Sequence, residues 1–380
     1  MTATQFAILI VGCIGPSLIV SWAATHFVRR RAAGWGLLDK PAPRKVHTTP
    51  TPLGGGLAIW LGVVAPFAVG QLALWIWHER AAEGADVLSG LPFADFLRPH
   101  LPGLWAQSPD LWLLLGLATL LMLLGLGDDR RGVDWRLRLA VQVAVAAAVV
   151  FGRGWKLNIA GGWPWLAGGL SLVWIVGLVN SFNMLDNMDG LSAGVGTIAA
   201  AMLAAVMLMA PDPQTHQPHL FVAGFLLVLV GALLGFLWHN RPPARIFMGD
   251  AGSYFLGFSL ATIATVTTYV GGDLPGHAVL APICVLAVPL YDLATVVWIR
   301  LRQGRSPFEA DKNHFSHRLV ELGLSKTQAV LTIYLLTATC GLGALLLHQV
   351  NRTGAVLIVL LVGCVLILIG ILETAARKRG

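Results

Sequence analysis

The sequence has 380 residues, of which 56% are hydrophobic and only 12% are charged, and its mean hydropathy is +0.72. A soluble domain carries roughly a quarter charged residues, so this composition excludes one and indicates an integral membrane protein. The net charge of +7 does not indicate nucleic-acid binding, because basic residues in a membrane protein first mark the loops that stay in the cytoplasm.

Eleven apolar segments approach the length of about 20 residues that a membrane span requires. They are residues 5–28, 54–77, 110–127, 137–152, 165–183, 191–210, 219–238, 251–270, 277–299, 327–348 and 354–372. No basic residue precedes the first segment, and Arg29, Arg30 and Arg31 follow it. A cleaved signal peptide has its basic residues before the apolar segment, and here they follow it. We therefore expect a retained helix with its N-terminus outside.

The distribution of basic residues supports this topology. It places the loops 29–53, 128–136, 184–190, 239–250 and 300–326, and the tail 373–380, in the cytoplasm. Most of the 26 Lys and Arg residues fall there, and those assigned outside are Arg80, Arg98, Arg153, Lys156 and Arg352. We therefore predict an all-α integral membrane protein of about eleven transmembrane helices, one polytopic domain over residues 1–380, with its C-terminus in the cytoplasm.

Five polar clusters interrupt the apolar pattern, and the first is the inner loop from Asp39 to Gly56. Its prolines stiffen the backbone. Its basic residues Arg44, Lys45 and His47 are suited to phosphates or anionic lipid headgroups. The alternative is that they only anchor the loop on the cytoplasmic side.

The second cluster is the sequence GLGDDRR at 125–131, which ends a span on two adjacent carboxylates. Neighbouring side chains of a helix point about 100° apart, so Asp128 and Asp129 are expected to have different partners. Arg138 follows and offers a donor suited to phosphate. The alternative is a solvated helix end that Arg130 and Arg131 neutralise.

The third cluster is NSFNMLDNMDGL at 180–191. Its polar residues Asn180, Asn183, Asp186 and Asp189 recur every three residues, so on a continuous α-helix they would lie on neighbouring positions of one surface. Carboxylate and amide oxygens are ligands that suit Mg²⁺. Acids that enter a membrane span are costly unless they are paired or hydrated, which argues against a passive role.

The fourth cluster runs from His239 to Ser253 and includes Asn240 and the sequence FMGDAGS. Asp250 stands between glycines where a span begins, and glycine permits close approach of the backbone to a ligand. The alternative is that Asp250 only caps the following helix.

The fifth cluster is SPFEADKNHFSHR at 306–318. His314 and His317 share a helix face, which would suit zinc, but a third ligand is not near them in the sequence. The loop is basic, so binding of a phosphate or pyrophosphate fits better, with Arg318 as a further donor. Asp292, inside the ninth predicted span, either pairs with a basic residue such as Arg300 or serves the site, and the sequence leaves both open.

All five clusters fall on the inner side of the predicted topology, which predicts a single site there. Together they resemble the polyprenyl-phosphate N-acetylhexosamine-1-phosphate transferases, the group that includes WecA, TagO and MraY, and within it the WecA-like branch. The resemblance runs from about Asp39 to Arg318. It is carried by GLGDD at 125–129, NSFNMLDNMDGL at 180–191, FMGDAGS at 247–253, DKNHFSHRL at 311–319 and RKVHTTPTPLGG at 44–55.

This resemblance implies that an N-acetylhexosamine 1-phosphate moves from a UDP-sugar, with UDP-GlcNAc as the expected donor, to undecaprenyl phosphate. UMP is released, and the product starts a lipid-linked glycan of the cell envelope. The resemblance further implies Mg²⁺, with Mn²⁺ as a substitute, and a bacterial inner membrane location with the active site on the cytoplasmic face. The implied partners are the two substrates and the lipid bilayer, without nucleic acid, and a homodimer is left open.

By matched position, the resemblance also implies residue roles. Asp250 is expected to be the main Mg²⁺ carboxylate, with Asn183 as a second ligand. The residues expected to be catalytic are Asp128 and Asp129, which would position or deprotonate the lipid phosphate, and Asp186 and Asp189, which would shape the nucleotide and metal pocket. The residues expected to bind substrate are Lys45, His47, Arg138, Asn180, Asn187, Asn240, His314, His317 and Arg318.

Two departures from the family pattern are visible: Ser316 stands where a further histidine is common, and Arg138 where lysine is frequent. Two other function classes also fit this kind of sequence. A secondary transporter would hold its acids near the membrane midplane. Another Mg²⁺-dependent prenyl-lipid transferase would need spaced aspartates, which DDRRGVD at 128–134 matches only loosely. Acids at the inner ends of helices favour the sugar-phosphate transferase.

Overall fold

The protein is a bundle of helices. The computed structural model describes residues 2–39, 50–84, 86, 88, 90, 93–157, 163–210, 218–269, 277, 280–306 and 313–377. Its helices are α1 (Ala3–Arg31), α2 (Gly55–Ala82), α3 (Ala94–Leu97), α4 (Leu101–Arg131), α5 (Trp135–Ala147), α6 (Pro164–Leu185), α7 (Leu191–Met209), α8 (Leu220–Asn240), α9 (Gly249–Tyr269), α10 (Ala281–Val285), α11 (Ala287–Arg302), α12 (Phe315–Glu321), α13 (Lys326–Leu346) and α14 (Arg352–Arg377). A 3₁₀ turn at Arg98–His100 joins α3 to α4, and a π-helical segment, Ala148–Arg153, extends α5.

The prediction of an all-α membrane protein is confirmed. Within the described residues, nine helical segments are long and apolar enough to cross a membrane. They correspond to nine of the eleven predicted spans, including 137–152, which lies within the helical segment Trp135–Arg153. The two predicted spans outside this count are 251–270, which forms α9, and 277–299.

The segment predicted to span the membrane at 277–299 is not one unbroken helix. The described part of this segment forms two helices, α10 and α11, with a break at Leu286. A proline lacks the backbone N–H and its ring clashes with the carbonyl of the residue four positions earlier. In a continuous helix the ring of Pro289 would crowd the Val285 carbonyl, and the break at Leu286 avoids this contact. Helix α11 starts at Ala287, with Pro289 in its first turn.

Helix α9 lies in the middle of the bundle, where it contacts α2, α4, α6 and α7. Its side chains Phe255, Leu256 and Phe258 are fully buried, as is the polar residue Ser259. Because protein rather than lipid surrounds α9, the helix carries serine and threonine between its apolar residues. Its first turn, which contains Asp250, is thereby held in place from several sides.

The loop after α1 returns to the same end of the bundle through a two-stranded antiparallel sheet. Strand β1 (Leu38–Asp39) pairs with β2 (Thr51–Pro52), with Leu38 opposite Pro52. The chain then lies against the segment that precedes α9: Phe247 N–H donates to Pro52 O at 2.8 Å, and Gly55 N–H donates to Phe247 O at 3.0 Å. This contact brings the first and fourth polar clusters together.

Candidate active site

Asp250, in the first turn of α9, is the centre of a group of polar side chains from four helices. Its Oδ1 accepts a hydrogen bond from Asn183 Nδ2 of α6 at 2.7 Å. Its Oδ2 lies 3.5 Å from Arg138 Nη1 of α5 and 3.4 Å from the hydroxyl of Tyr254, one turn further along α9. The two predicted metal ligands, Asp250 and Asn183, therefore lie side by side.

Asp128, near the end of α4, faces the same point. Its Oδ2 accepts from Arg138 Nη1 at 2.5 Å and lies 3.4 Å from the Tyr254 hydroxyl, while its Oδ1 accepts from Val133 N–H at 2.7 Å. Arg138 and Tyr254 thus lie between the carboxylates of Asp128 and Asp250. The Arg138 and Asp250 side chains are each 29% exposed, against 8% for Asp128, so Asp250 is the more accessible of the two carboxylates.

Asp129 points elsewhere, as the sequence predicts for adjacent helical residues. Its Oδ1 accepts from Asp250 N–H at 2.8 Å and its Oδ2 from Ala251 N–H at 3.2 Å. These are N–H groups that the start of a helix leaves without a partner in the helix, so Asp129 caps α9 from the neighbouring helix α4. In the structure Asp129 positions Asp250, and its predicted part in catalysis stays a prediction.

The glycines of the second and fourth clusters allow this close approach. Gly249 has a φ of 71°, and a Cβ at this position would lie 2.5 Å from Asp129 Oδ2. A Cβ at Gly125 would lie 2.4 Å from the Asp250 carbonyl oxygen. We expected the glycines beside Asp250 to allow close approach of a ligand. In the structure Gly249, like Gly125, allows close contact between α4 and the start of α9.

The third cluster does not lie on one helix, so its polar residues do not share the surface that a continuous helix would give them, and the predicted inner loop 184–190 agrees with the structure. Helix α6 ends at Leu185, so Asn183 is helical, whereas Asp186 and Asp189 lie in the turn before α7. Burial, together with the charge of Asp129, raises the pKa of the Asp186 carboxyl to about 7, against the opposing effect of the Gly249 N–H. Both acids lie in the turn that faces the segment leading into α9.

Two residues of the site join this turn to the loop 241–248. Asp189 Oδ2 accepts from Ala244 N–H at 2.9 Å. The Asn240 side chain accepts from Gly190 N–H at 3.0 Å and donates to Ile246 O at 2.9 Å. Asn240 is 3% exposed, so the structure shows it holding two loops together, and its predicted contact with substrate stays a prediction.

Asn180 lies one turn deeper in the bundle than Asn183. Its Nδ2 donates to Gln142 Oε1 at 2.7 Å and to Val176 O at 2.8 Å. Gln142 lies one turn after Arg138 on α5 and is 2% exposed. The pair fixes α5 against α6, which sets the position of Arg138 relative to Asn183.

The fifth cluster reaches the site through α12. Ser316 donates to Asn187 Oδ1 at 2.5 Å, and Asn187 Nδ2 donates to Met184 O at 2.7 Å. The rings of His314 and His317 have centroids 6.3 Å apart. Ser316, which stands where the family commonly has a histidine, therefore serves as the link between α12 and the third cluster.

Asp292, whose role the sequence left open, is fully buried and fixes the start of α12. Its Oδ1 accepts from Phe315 N–H at 2.6 Å, and its Oδ2 lies 3.2 Å from His314 Nδ1. The contact with Asp292 fixes the orientation of the His314 ring, and the predicted contact of His314 with substrate stays a prediction.

Arg318 is buried, with 3% exposure, and its guanidinium is engaged inside the protein. Its Nε donates to Glu373 Oε2 of α14 at 2.9 Å, its Nη2 to Thr295 Oγ1 at 2.9 Å, and its Nη1 to the carbonyl of Asn313. The observed contacts hold α12 in place, and the predicted contact with pyrophosphate stays a prediction.

Two of the predicted site residues, Lys45 and His47, lie outside the described residues, as does Arg44. The flanking segment from Pro52 to Gly56 lies against residues 247 and 248, with Gly56 N–H donating to Met248 O at 2.9 Å. The described parts of all five clusters are thus linked by hydrogen bonds at one end of the bundle, which was the main structural prediction from the sequence.

Tyr254, Gln142 and Glu373 are parts of this arrangement that the sequence did not reveal. Tyr254 directly follows the fourth cluster in α9, Gln142 lies within α5, and Glu373 lies in α14. Tyr254 follows Asp250 by four residues, and Gln142 follows Arg138 by four, so a search for polar residues one turn beyond each predicted site residue would have found both. Glu373 is separated from Arg318 by 55 residues, and no spacing rule connects them.

The arrangement suits a divalent cation that is shared with a ligand. The described residues contain no group of three His, Cys, Asp or Glu side chains able to hold a metal by themselves. Asp128, Asp250 and the amide of Asn183 offer two carboxylates and one amide. Mg²⁺ is typically bound by one or two carboxylates together with waters and substrate phosphates, so these residues fit it.

Comparison with known proteins places the chain among transferases. The model of glycosyl transferase family 4 matches residues 111–268. A probable undecaprenyl-phosphate N-acetylglucosaminyl 1-phosphate transferase of Bacillus subtilis is 31% identical, covering 88% of this chain and 83% of the relative. A decaprenyl-phosphate N-acetylglucosaminephosphotransferase of Mycobacterium tuberculosis is 34% identical, covering 86% and 79%. An undecaprenyl-phosphate alpha-N-acetylglucosaminyl 1-phosphate transferase of Escherichia coli is 29% identical, covering 82% and 77%.

Proposed function

This chain belongs to glycosyl transferase family 4, with the polyprenyl-phosphate N-acetylglucosamine-1-phosphate transferases, and on that premise we propose that it transfers N-acetylglucosamine 1-phosphate from UDP-GlcNAc to undecaprenyl phosphate. UMP is the second product. The product lipid starts a glycan of the bacterial cell envelope. The reaction takes place on the cytoplasmic face of the inner membrane, where a nucleotide sugar and a lipid phosphate meet.

The observation that carries this proposal is the meeting of Asp128, Arg138, Asn183 and Asp250 from four different helices. Two carboxylates and one guanidinium leave this point with an excess of negative charge. Both substrates are also anions, so their approach requires added positive charge. This imbalance supports a requirement for a divalent cation, Mg²⁺ or Mn²⁺ in its place.

We assign the cation to Asp250, with Asn183 beside it and Asp128 on the far side of Arg138. A Mg²⁺ ion held there would supply positive charge to offset the negative charge that develops on the phosphate of UMP as its bond breaks. Arg138 keeps the two carboxylates close together against their repulsion. Asp129 holds the first turn of α9 so that Asp250 stays aimed at the ligand.

In the proposed reaction, an oxygen of the lipid phosphate attacks the phosphorus that carries the sugar. A new P–O bond forms, the P–O bond to UMP breaks, and UMP leaves with the electron pair. A phosphate monoester has its second pKa near 6, so the lipid nucleophile is largely dianionic at neutral pH and needs no strong base. Asp128 and Asp129 each accept two or more hydrogen bonds, which agrees with roles in positioning.

The test is the release of UMP by the purified protein with UDP-GlcNAc, undecaprenyl phosphate and Mg²⁺. Release should require all three, and removal of divalent ions with a chelator should stop it until Mg²⁺ is restored. A panel of UDP-N-acetylhexosamines then identifies the donor. A carrier would release no UMP in any of these reactions, which would contradict the proposal.

The single displacement has its own test. The protein is incubated with labelled UDP-sugar in the absence of lipid phosphate and then examined for phosphorylated aspartate. A direct transfer predicts none. A trapped phosphoenzyme that later reacts with undecaprenyl phosphate would establish a two-step route instead.

A further inference from the structure

A histidine outside the candidate active site lacks the contacts that a buried polar side chain normally has. His239, in the last turn of α8, is 4% exposed, and neither ring nitrogen has a hydrogen-bond partner among the described residues. The backbone of Trp22 is close to the ring but makes no hydrogen bond of normal geometry with it. A buried donor or acceptor that is left unpaired loses its hydrogen bonds to water without replacement, so such groups usually have a partner that the protein itself does not supply.

The surroundings of this ring are basic and aromatic. Its centroid lies 6.0 Å from that of Trp22 and 6.3 Å from that of His26, both on α1. Of the charged side chains in the described part of the chain, Arg29 acts on it most strongly, followed by His26 and Arg245. The charged groups acting on an unpaired ring are thus all basic, which favours an anion as the missing partner.

The position of the cluster indicates which anion. It lies where α1 and α8 end, and the neighbouring aromatic residues Phe27, Trp22 and Trp238 are 53%, 44% and 55% exposed. Arg241 stacks over the Trp238 ring at 4.5 Å from its centroid. Tryptophan and basic residues together at a helix end mark the level of the lipid headgroups, where phosphates are abundant.

We propose that His26, Arg29, His239 and Arg245 form a binding site for the headgroup phosphate of an anionic membrane phospholipid, between the ends of α1 and α8. One ring N–H of His239 donates to a phosphate oxygen, and the two arginines supply the charge. The lipid's acyl chains lie along the exposed apolar surface of α1. The proposal does not depend on the transfer reaction, because the neighbouring Asn240 side chain points away, to Gly190 and Ile246.

His348 provides a matched control within the same chain. Both of its ring nitrogens are also buried without a hydrogen-bond partner among the described residues. Burial by itself lowers the pKa of His348, and no charged side chain contributes among the described residues, in contrast to the basic cluster around His239. Replacing His348 therefore removes an unpaired histidine without removing a basic cluster.

The experiment compares lipid retention by the full-length protein and three variants in detergent, measured by native mass spectrometry. The variants are His239→Phe, which keeps an aromatic ring against Trp22, Arg245→Gln, and the control His348→Phe. Each protein is titrated with phosphatidylglycerol, with phosphatidylcholine and with inorganic phosphate. Gel filtration and thermal unfolding in phosphatidylcholine establish that each variant is folded.

We expect the unmodified protein and His348→Phe to bind phosphatidylglycerol about tenfold more tightly than phosphatidylcholine. A tenfold ratio of dissociation constants corresponds to about 1.4 kcal/mol of charge interaction. His239→Phe and Arg245→Gln should each lose most of this preference. Folded variants of His239 and Arg245 that retain the full preference would overturn the proposal. If inorganic phosphate binds with equal affinity and competes with the lipid, the ligand is free phosphate and the assignment to lipid is wrong.

Discussion

The candidate active site and the segment that carries His314 use ionisable residues in opposite ways. Around Asp250, acids outnumber bases, and the Arg138 and Asp250 side chains are each 29% exposed. Around α12, Asp292 and Arg318 are 0% and 3% exposed, and each is hydrogen-bonded to partners from other parts of the chain. The first arrangement is open and unbalanced in charge, while the second is closed and paired.

This difference separates chemistry from positioning. Charge that is left unbalanced near an opening can attract and stabilise a charged ligand, whereas a paired charge that is buried only fixes the elements that carry it. Sequence motifs predicted a functional role for residues of both regions, because a motif does not show whether a side chain is buried or exposed. We therefore expect substitutions in the two regions to have different effects on activity and on stability.

The largest effect is expected for Asp250→Asn. This change keeps the size of the side chain but removes the charge that we assign to the cation, so kcat should fall by about a hundredfold to a thousandfold. Thermal unfolding should stay close to that of the unmodified protein. The control is Asp110→Asn, which breaks the ion pair with Arg153 far from the site and should leave UMP release unchanged.

Substantial activity of folded Asp250→Asn would refute the role of Asp250 at the cation. The dependence on Mg²⁺ concentration gives a second measurement. A partially active variant should require more Mg²⁺ for half-maximal rate.

Arg138 tests the charge imbalance itself. Arg138→Gln leaves Asp128 and Asp250 facing each other without the positively charged guanidinium between them. We expect kcat to fall by roughly tenfold to a hundredfold, as for the loss of one donor that stabilises charge in the transition state. Arg138→Lys introduces the residue that is frequent in the family at this position. It keeps the positive charge, so this variant should retain most of the rate. Equal losses in both variants would show that geometry rather than charge is what Arg138 provides.

In the closed region, the expected effect is on stability. Glu373→Ala leaves Arg318 buried with its charge unpaired, at a cost of about 3–5 kcal/mol to folding. The midpoint of thermal unfolding should therefore fall more than for Asp250→Asn, while the rate per folded molecule should fall less.

A double variant, Arg318→Met with Glu373→Leu, sharpens this prediction. Removing both charges avoids the unpaired arginine, so the double variant should be more stable than Glu373→Ala. If instead Arg318 binds pyrophosphate, the double variant will be stable but will show a raised KM for UDP-GlcNAc.

The smallest effect is expected for Asp129→Asn. Asparagine is also a good cap, so α9 keeps one of the two hydrogen bonds that hold its first turn, and we expect a loss of activity of only a few fold. Asp129→Ala removes both and should cost about 0.5–2 kcal/mol of stability. A loss as large as that of Asp250→Asn, in a protein of normal stability, would place Asp129 in the chemistry.

The sequence by itself determined the class of the protein, because a bilayer demands long apolar segments that composition and hydropathy reveal directly. It also predicted that the five polar clusters meet at one end of the bundle, since the number of spans between them fixes the side on which each cluster emerges. Composition did not reveal the break at Leu286 within the predicted span 277–299, because the residues on both sides of it are apolar. The three-residue spacing at 180–189 would place its polar residues on one surface only if the helix continued, whereas the predicted inner loop 184–190 agrees with the end of α6 at Leu185.

Only the tertiary structure decided what each polar residue contacts. Asp128 and Asp129 are adjacent in the sequence, yet one meets Arg138 and the other caps α9, because a helix turns successive side chains toward different neighbours. Arg318 and Glu373 pair across 55 residues, and His239 remains unpaired beside three basic side chains. These contacts depend on how the helices pack against one another. Packing brings together residues whose separation along the chain does not predict that they meet.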